Sequence, residues 1–434
     1  MPRQMKLGLF VLPSGQHIAG WRLPEAQADM HVDFASYRTL ARRAEEARFD
    51  MLFVADNDGV QAGAWSREAL SRTANRFAAQ FEPLTLLSAI AACTTHLGVV
   101  GTASTTYFDP YRLARQFASL DLLSGGRAAW NIVTSHDASA AANFGIAPLE
   151  HAARYERAEE FVGLVEKLWR SWEPDAFPRD KAGGVFFDPA RLHAQHHEGR
   201  HFRVSGPLNV APSAQGHPVL VQAGSSGPGR DLAARKAEVV FTAQTNLRDA
   251  QAFYADIRRR AADFGRAPDA LKIMPGVSCI AAATEAEARD RFEAMQSLID
   301  PAVGLAHLQT LLGVSLEGHA LDEPVRELPA SNAMQSRHAL FLGMAREEGL
   351  TLRQLYQRAA GAKGHLLLVG TGAQIAGTLA RWFEEGAADG FNVMPPYLPG
   401  GFDDFVTHVL PELRSRGLVR EAYAGTTLRE NLAQ

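Results

Sequence analysis

Short apolar runs alternate with longer amphipathic stretches along most of this chain. The apolar runs are continuous rather than alternating with polar residues, which is typical of parallel strands covered on both faces. Most of the stretches between them repeat apolar residues at helical spacing. Eight runs separated by helices predict strands over Lys6–Leu12, Met51–Ala55, Leu97–Gly101, Gly126–Ser135, Val219–Ala223, Val239–Thr242, Lys272–Ala281 and Phe391–Met394.

This alternation predicts an α/β fold, and eight strands favour a (β/α)8 TIM barrel over an open doubly wound sheet. Two segments interrupt the pattern. The first, about 173–216, follows the fourth long helix and is rich in Pro, Gly and His, so we expect hairpins there. The second, about 300–363, follows the seventh strand and is expected to be largely helical. We therefore predict one barrel domain over 1–434 with two insertions.

Composition narrows the class of protein. A hydrophobic content of 46% supports a large core, and a net charge of −4 gives no electrostatic basis for binding nucleic acid or an anionic membrane. The first residues show no secretory pattern. No apolar run approaches the roughly 18 residues that a membrane span requires. A soluble cytoplasmic protein is the expectation.

Polar side chains follow the predicted strands at the points where they end. In a parallel barrel these ends share one face, where TIM-barrel enzymes place their chemistry. His151 and Tyr155 lie four residues apart at the start of the fourth long helix, so one helical face carries both towards the same mouth. The ring predicted at this mouth also contains Asp56, Thr102, Ser104, Asn131, Thr134 and Ser225.

A glycine- and serine-rich loop, Gly224–Gly229, lies between the fifth strand and a helix. Backbone N–H groups, the hydroxyls of Ser225 and Ser226 and the positive end of a helix dipole together favour an anion, with phosphate as the expected ligand. Each polar residue also has a plain structural interpretation: a turn cap, an ordinary loop or a surface pair. The functional hypothesis depends on their convergence at one mouth.

Several other chemistries are not favoured. His196, His197 and His201 match no compact metal-site spacing, so no metal is predicted. Gly370-Thr371-Gly372 is not a dinucleotide fingerprint, because the third glycine falls late, at Gly377, and no acidic partner is evident. Neither a Walker loop nor a nucleophile elbow is found. The sequence thus predicts neither a built-in nicotinamide domain nor a covalent hydrolase.

The chain resembles the flavin-dependent monooxygenases of the bacterial luciferase-like superfamily. Within it, the chain is most similar to the nitrilotriacetate monooxygenase group, which includes the dibenzothiophene-sulfone monooxygenases. The stretch Arg127–Ser135, with Asn143-Phe144-Gly145 downstream, carries the resemblance. Further motifs in family order are His17-Ile18-Ala19 with Trp21-Arg22, Phe53–Asp56, Ala103–Thr106, Pro110-Tyr111, Ala114–Asp121, Gly206-Pro207-Leu208, Gln222–Gly227, Trp382-Phe383 and Asp389-Gly390-Phe391.

The resemblance implies a TIM barrel that uses reduced FMN (FMNH2) and O2 through a C4a-(hydro)peroxyflavin to oxygenate a small organic substrate. It implies a separate NAD(P)H:flavin reductase and a homodimer or homotetramer. Asn131 and Thr134 would lie near the isoalloxazine ring, and His17 and His136 near the substrate, which makes His17, His136 and Asn131 the catalytic candidates. The residues that the resemblance implies to contact FMN are Asp56, Ser104, His151, Tyr155, Ser225 and Ser226. Thr102, from the polar ring, is added to this group as a candidate FMN contact.

Three alternatives remain open at this point. One is an F420-dependent hydride-transfer enzyme of the same superfamily. Another is a phosphate-binding barrel aldolase or isomerase that uses Asp56 and His151. The third is a non-catalytic flavin-binding protein. The segment 57–65 is expected to shape the substrate pocket, and the insertion at 300–363 to cover the mouth.

Overall fold

The computed structural model describes residues 3–61, 63, 65–316, 318–325 and 335–434, and for 335–340 the backbone alone. The predicted second insertion therefore lies partly outside the described residues, and so does the predicted pocket segment 57–65 at positions 62 and 64. In the described ranges, no helix is long and apolar enough to cross a bilayer.

Eight parallel strands close into a barrel in the order β1, β2, β3, β4, β7, β8, β9, β11 and back to β1. This confirms the predicted TIM barrel. A ninth strand of the sheet, β10, lies outside the ring, and β5 and β6 form a separate antiparallel hairpin. The strands are β1 Lys6–Val11, β2 Met51–Val54, β3 Gly98–Ser104, β4 Ala128–Val133, β5 His197–Glu198, β6 Arg203–Val204, β7 Val219–Gln222, β8 Val239–Thr242, β9 Lys272–Ala282, β10 Leu366–Thr371 and β11 Gly390–Val393.

Strand β10 was not predicted. It pairs in parallel with the second half of β9, from Leu366 opposite Val277 to Thr371 opposite Ala282. The first half of β9 pairs with β8 inside the barrel. Strand β9 thus pairs with three strands, β8 and β11 within the barrel and β10 outside it. The six-residue β10 comes directly after the irregular second insertion.

The helices fill the connections between strands. Side chains cap several of their starts: Asp33 accepts N–H bonds at the start of α1, and Thr284 and Glu287 form a capping box on α9. The α-helices are α1 Phe34–Glu46, α2 Arg67–Ser71, α3 Pro83–Ala91, α4 Pro110–Leu123, α5 Ala138–Asn143, α6 His151–Trp169, α7 Gly227–Lys236, α8 Leu247–Asp263, α9 Glu285–Ser297, α10 Pro301–Leu312, α11 Gln335–Glu348, α12 Leu352–Ala362, α13 Gly372–Glu384, α14 Gly400–Asp404, α15 Leu410–Ser415 and α16 Leu428–Ala433.

Strand β4 shows how the barrel divides its side chains. Trp130 points outwards and packs against Phe117, Phe161 and Trp169 in the layer between strands and helices. Its neighbour Ala129 belongs to the cluster inside the barrel, together with side chains from β2, β3, β7, β8 and β9. Because side chains alternate along a strand, Asn131 faces the interior as Ala129 does.

Helix α16 closes the end of the barrel where the strands begin. Leu428 and Leu432 are buried in the interior cluster. Beside them, Arg420 and Asp50 form a buried ion pair at 2.6 Å, with side chains 5% and 2% exposed. Burial lowers the pKa of neighbouring Lys6 to about 8, although Asp50 acts in the opposite sense. This end is filled, so the mouth at the opposite end, where the strands finish, is the one that could admit a ligand.

Candidate functional site

Three strands are joined at the mouth by one buried hydrogen-bond chain. Thr102 Oγ1 donates to the carbonyl of Val54 at 2.9 Å and accepts from Asn131 Nδ2 at 3.0 Å. Thr102 and Asn131 are each 5% exposed. In the described structure Asn131 Oδ1 has no hydrogen-bond partner. A buried acceptor without a donor is unfavourable, so this amide is arranged for a ligand donor.

The remaining predicted residues on β3 and β4 differ in their surroundings. Ser104 Oγ accepts from the backbone N–H of Thr106 at 3.1 Å, so this hydroxyl braces the turn after β3. Thr134 is half-buried. His136 exposes its side chain, yet desolvation by surrounding protein and then Arg154 lower its pKa. That combination is expected of a side chain that lines a concave opening.

Asp56 follows β2, and its carboxyl keeps its proton to a higher pH than an ordinary aspartate. Burial, and then the nearby Asp58 carboxylate, raise the pKa of Asp56 to about 7. Burial also raises the pKa of Asp58 to about 6. The Gln80 amide Nε2 donates to Asp56 Oδ1. Strongly raised carboxyl pKa values in a cleft are a frequent mark of functional sites.

The loop Gly224–Gly229 packs against the first turns of α6. A methyl group on Gly224 would lie 2.8 Å from the Gly229 Cα and 3.0 Å from the Tyr155 hydroxyl, so only glycine fits there. Gln222 Oε1 accepts from the Gly224 N–H at 2.6 Å and fixes the turn. The exposed His151 ring lies 4.9 Å from the Tyr155 ring.

The start of α7 has fewer N–H groups to offer than its sequence suggests. Ser226 Oγ caps the helix by accepting from the Gly229 N–H at 3.3 Å, and Pro228 has no N–H. Gly227 faces open space, since a methyl group there would meet nothing within 4 Å. Its N–H and the helix dipole are the backbone groups that this loop can direct at an anion.

His17 lies in the loop after β1 and is fully buried. Its Nδ1 accepts from the Ala19 N–H at 3.2 Å, which leaves the proton of the neutral ring on Nε2. Burial, followed by the charge of Lys363, lowers the pKa of His17 to about 3. Gln296 lies nearby and acts to raise this pKa. In the described structure the Nε2 atom of His17 has no hydrogen-bond partner.

Contacts join the predicted residues in two groups, Thr102 with Asn131 and Tyr155 with His151 and the Gly224–Gly229 loop. Hydrogen bonds among the described residues do not link His17 or Asp56 to either group. Sequence reasoning did not single out Gln80, which donates to Asp56, or Gln222, which accepts from the Gly224 N–H. The position of Gln222 at the end of a strand could have indicated it. Within the described ranges, no group of three or more His, Cys, Asp and Glu side chains could hold a metal.

A closed parallel barrel with polar side chains where its strands end is the architecture of TIM-barrel enzymes, which place their active sites at that mouth. The model of one family, described as luciferase-like monooxygenase, matches residues 5–389. The chain belongs to this family and is a flavin-dependent monooxygenase.

Named relatives cover almost the full chain. The N-acetyl-S-(2-succino)cysteine monooxygenase of Bacillus subtilis (strain 168) is 48% identical, over 99% of this chain and 96% of its own length. Nitrilotriacetate monooxygenase component A of Aminobacter aminovorans is 47% identical, over 99% and 96%. The solved structure of a riboflavin lyase with modified FMN and riboflavin has a TM-score of 0.89 and 35% identity, covering 99% of this chain and 96% of that one.

Proposed function

We propose that this chain is the oxygenating component of a two-component monooxygenase. It would use FMNH2, delivered by a separate NAD(P)H:flavin reductase, and O2 to oxygenate a small organic substrate. Relatives named as components or subunits of larger systems support the division of labour. A related structure that contains modified FMN supports the choice of flavin.

The unpartnered Oδ1 of Asn131 is the observation that carries this proposal. A reduced isoalloxazine ring presents N–H donors, and Asn131 offers a buried acceptor held in place by Thr102. The Gly227 N–H, Tyr155 and the hydroxyls of Ser225 and Ser226 would hold the phosphate. The residues present therefore fit FMN at both its ring and its phosphate.

Reduced flavin supplies the electrons that split O2, so that one oxygen atom enters the substrate and the other leaves as water. The protein orients the reactants, excludes water and places protons. His17 stays neutral at physiological pH because its pKa is about 3, and its Nε2–H is a fixed donor. Asp56, with a pKa of about 7, can give or take a proton near neutrality.

The test combines binding with isotope incorporation. Wild-type protein should bind FMNH2 under anaerobic conditions and, with a flavin reductase, NADH and 18O2, place one 18O atom in the product. Asn131→Ala should weaken FMNH2 binding roughly 10-fold, because a hydrogen bond at a buried amide is lost. Its free energy of unfolding should fall by less than the free-energy equivalent of that loss of binding. Equal losses, or preferential binding of F420, would overturn the proposal.

A further inference from the structure

Arg76 is a buried cation without an acidic partner. The residue is 7% exposed and lies in the connection between β2 and α3. Its Nε and Nη2 both donate to the Gln61 carbonyl, at 3.0 and 2.7 Å. Among the described residues no carboxylate forms an ion pair with it. A buried charge that lacks a counter-charge is costly, so a ligand that brought one would be favoured there.

The guanidinium is held in a fixed position. Its Cζ lies 4.8 Å above the ring of Trp65, and the indole Nε1 of Trp65 donates to Thr310 Oγ1 at 2.8 Å on α10. The next residue, Phe77, has a φ of 53°, which is unfavourable for a side chain of this size. Residues in such sparsely populated conformations cluster at active sites and ligand clamps.

Two sets of hydrogen bonds place this segment at the barrel mouth. Thr73 Oγ1 donates to the Ile18 carbonyl at 3.3 Å, and Asn75 Nδ2 donates to the Gln16 carbonyl at 3.1 Å. The segment is therefore hydrogen-bonded to the residues on both sides of His17 in the loop after β1.

On the other side, the loop that contacts Arg76 rests on α5, which follows β4. Ser139 Oγ donates to the Val60 carbonyl at 2.8 Å. Asp137 is the acidic group that influences Arg76, but its carboxylate already accepts N–H bonds from Ser139 and Ala140 as the cap of α5. It attracts Arg76 from beyond ion-pair distance, since no contact within 4.0 Å joins the two charges in the described structure.

We propose that the Arg76 guanidinium binds a carboxylate of the substrate, and that the compound oxygenated here is an organic anion. This inference rests on the proposed function, since it assigns the substrate class of that same mouth. Arginine presents a planar set of donors that matches a carboxylate, and Nη1 is not used by any hydrogen bond in the described structure. A carboxylate seated there would lie on the His17 side of the mouth.

The test measures binding without turnover, by calorimetry on flavin-free protein. The probes are succinate, nitrilotriacetate and N-acetyl-S-(2-succino)cysteine, each compared with its methyl ester. Wild-type protein should bind at least one acid and prefer it over the ester. Arg76→Gln should weaken that binding roughly 10- to 100-fold, whereas Arg67→Gln, an exposed change of equal charge at the start of α2 in the same β2–α3 connection, should not. Trp65 should report binding by a fluorescence change that Trp65→Phe removes.

Further measurements separate the possible failures. Arg76→Gln should keep its FMNH2 affinity within about twofold, since the phosphate loop lies elsewhere. A parallel loss of flavin and acid binding would assign Arg76 to the flavin. If no acid binds wild-type protein, or if the acids bind no better than their esters, the inference is overturned. Both outcomes are measured on wild-type protein, so they hold even if the variant misfolds. Wild-type protein that fails to bind FMNH2 would refute the proposed function instead.

Discussion

Replacing Asp56 with Asn should stabilise this protein at alkaline pH. The pKa of Asp56 is raised to about 7 from an ordinary value of 3.8, mainly by burial. A raised folded-state pKa means that folding favours the protonated carboxyl. This stabilising contribution is complete below pH 3.8 and is lost as the pH rises through 7. Asn is neutral at every pH, and its carbonyl can still accept the hydrogen bond from Gln80.

The size of the effect follows from the shift. A rise in the pKa of Asp56 from 3.8 to about 7 corresponds to roughly 4 kcal/mol at pH 8, because one pKa unit is equivalent to about 1.4 kcal/mol. Solvent reaches part of the half-buried side chain and reduces this penalty. We therefore expect Asp56→Asn to raise the free energy of unfolding by about 2 kcal/mol at pH 8 and by less than about 1 kcal/mol at pH 5.

Urea unfolding at the two pH values, followed by circular dichroism, measures the difference. Asp269→Asn is the matched control, since it makes the same change at an exposed position and should alter stability little at either pH. FMNH2 binding should lose its pH dependence between 6 and 8 in Asp56→Asn. A variant that is less stable than wild type at pH 8, or equally shifted at both pH values, would refute the reasoning.

Two further substitutions test the site and the barrel end. Gly224→Ala would place a methyl group 2.8 Å from the Gly229 Cα. Such overpacking costs about 1–3 kcal/mol, so the flavin affinity measured by titration should fall roughly 10-fold or more. Gly163→Ala, where the added methyl group meets open space, should leave the flavin affinity unchanged. Asp50→Asn leaves the buried Arg420 without its counter-charge and should lower the free energy of unfolding by about 3–5 kcal/mol; a urea-measured loss under 1 kcal/mol would contradict the buried-pair argument.

The barrel was predictable because its strands are buried on both faces. A continuous apolar run such as Val239–Thr242 is typical of a buried parallel strand when helices flank it, and the eight barrel strands follow from this rule. Strand β10 was missed although Leu366–Val369 is also a continuous apolar run, and its place outside the ring comes from pairing with the far half of β9. The pattern within one segment does not reveal that a distant strand extends beyond the barrel.

The mouth was predictable where residues lie at strand ends, as for Thr102 and Asn131, since parallel strands bring those ends together. Arg76 lies in a long connection whose course depends on contacts with the loops after β1 and β4. Its lack of an acidic partner is a property of three-dimensional packing. Spacing along the chain carries no signal of it.

The filling of the barrel by α16 has a consequence for biosynthesis. Leu428 and Leu432 lie beyond every strand in the chain, yet they occupy the interior that those strands surround. While the chain emerges from the ribosome, β1 to β9 can pair, but the apolar lining at one end stays open to water until α16 arrives. The nascent protein therefore exposes core surface until late in translation, the period in which general chaperones bind such surfaces.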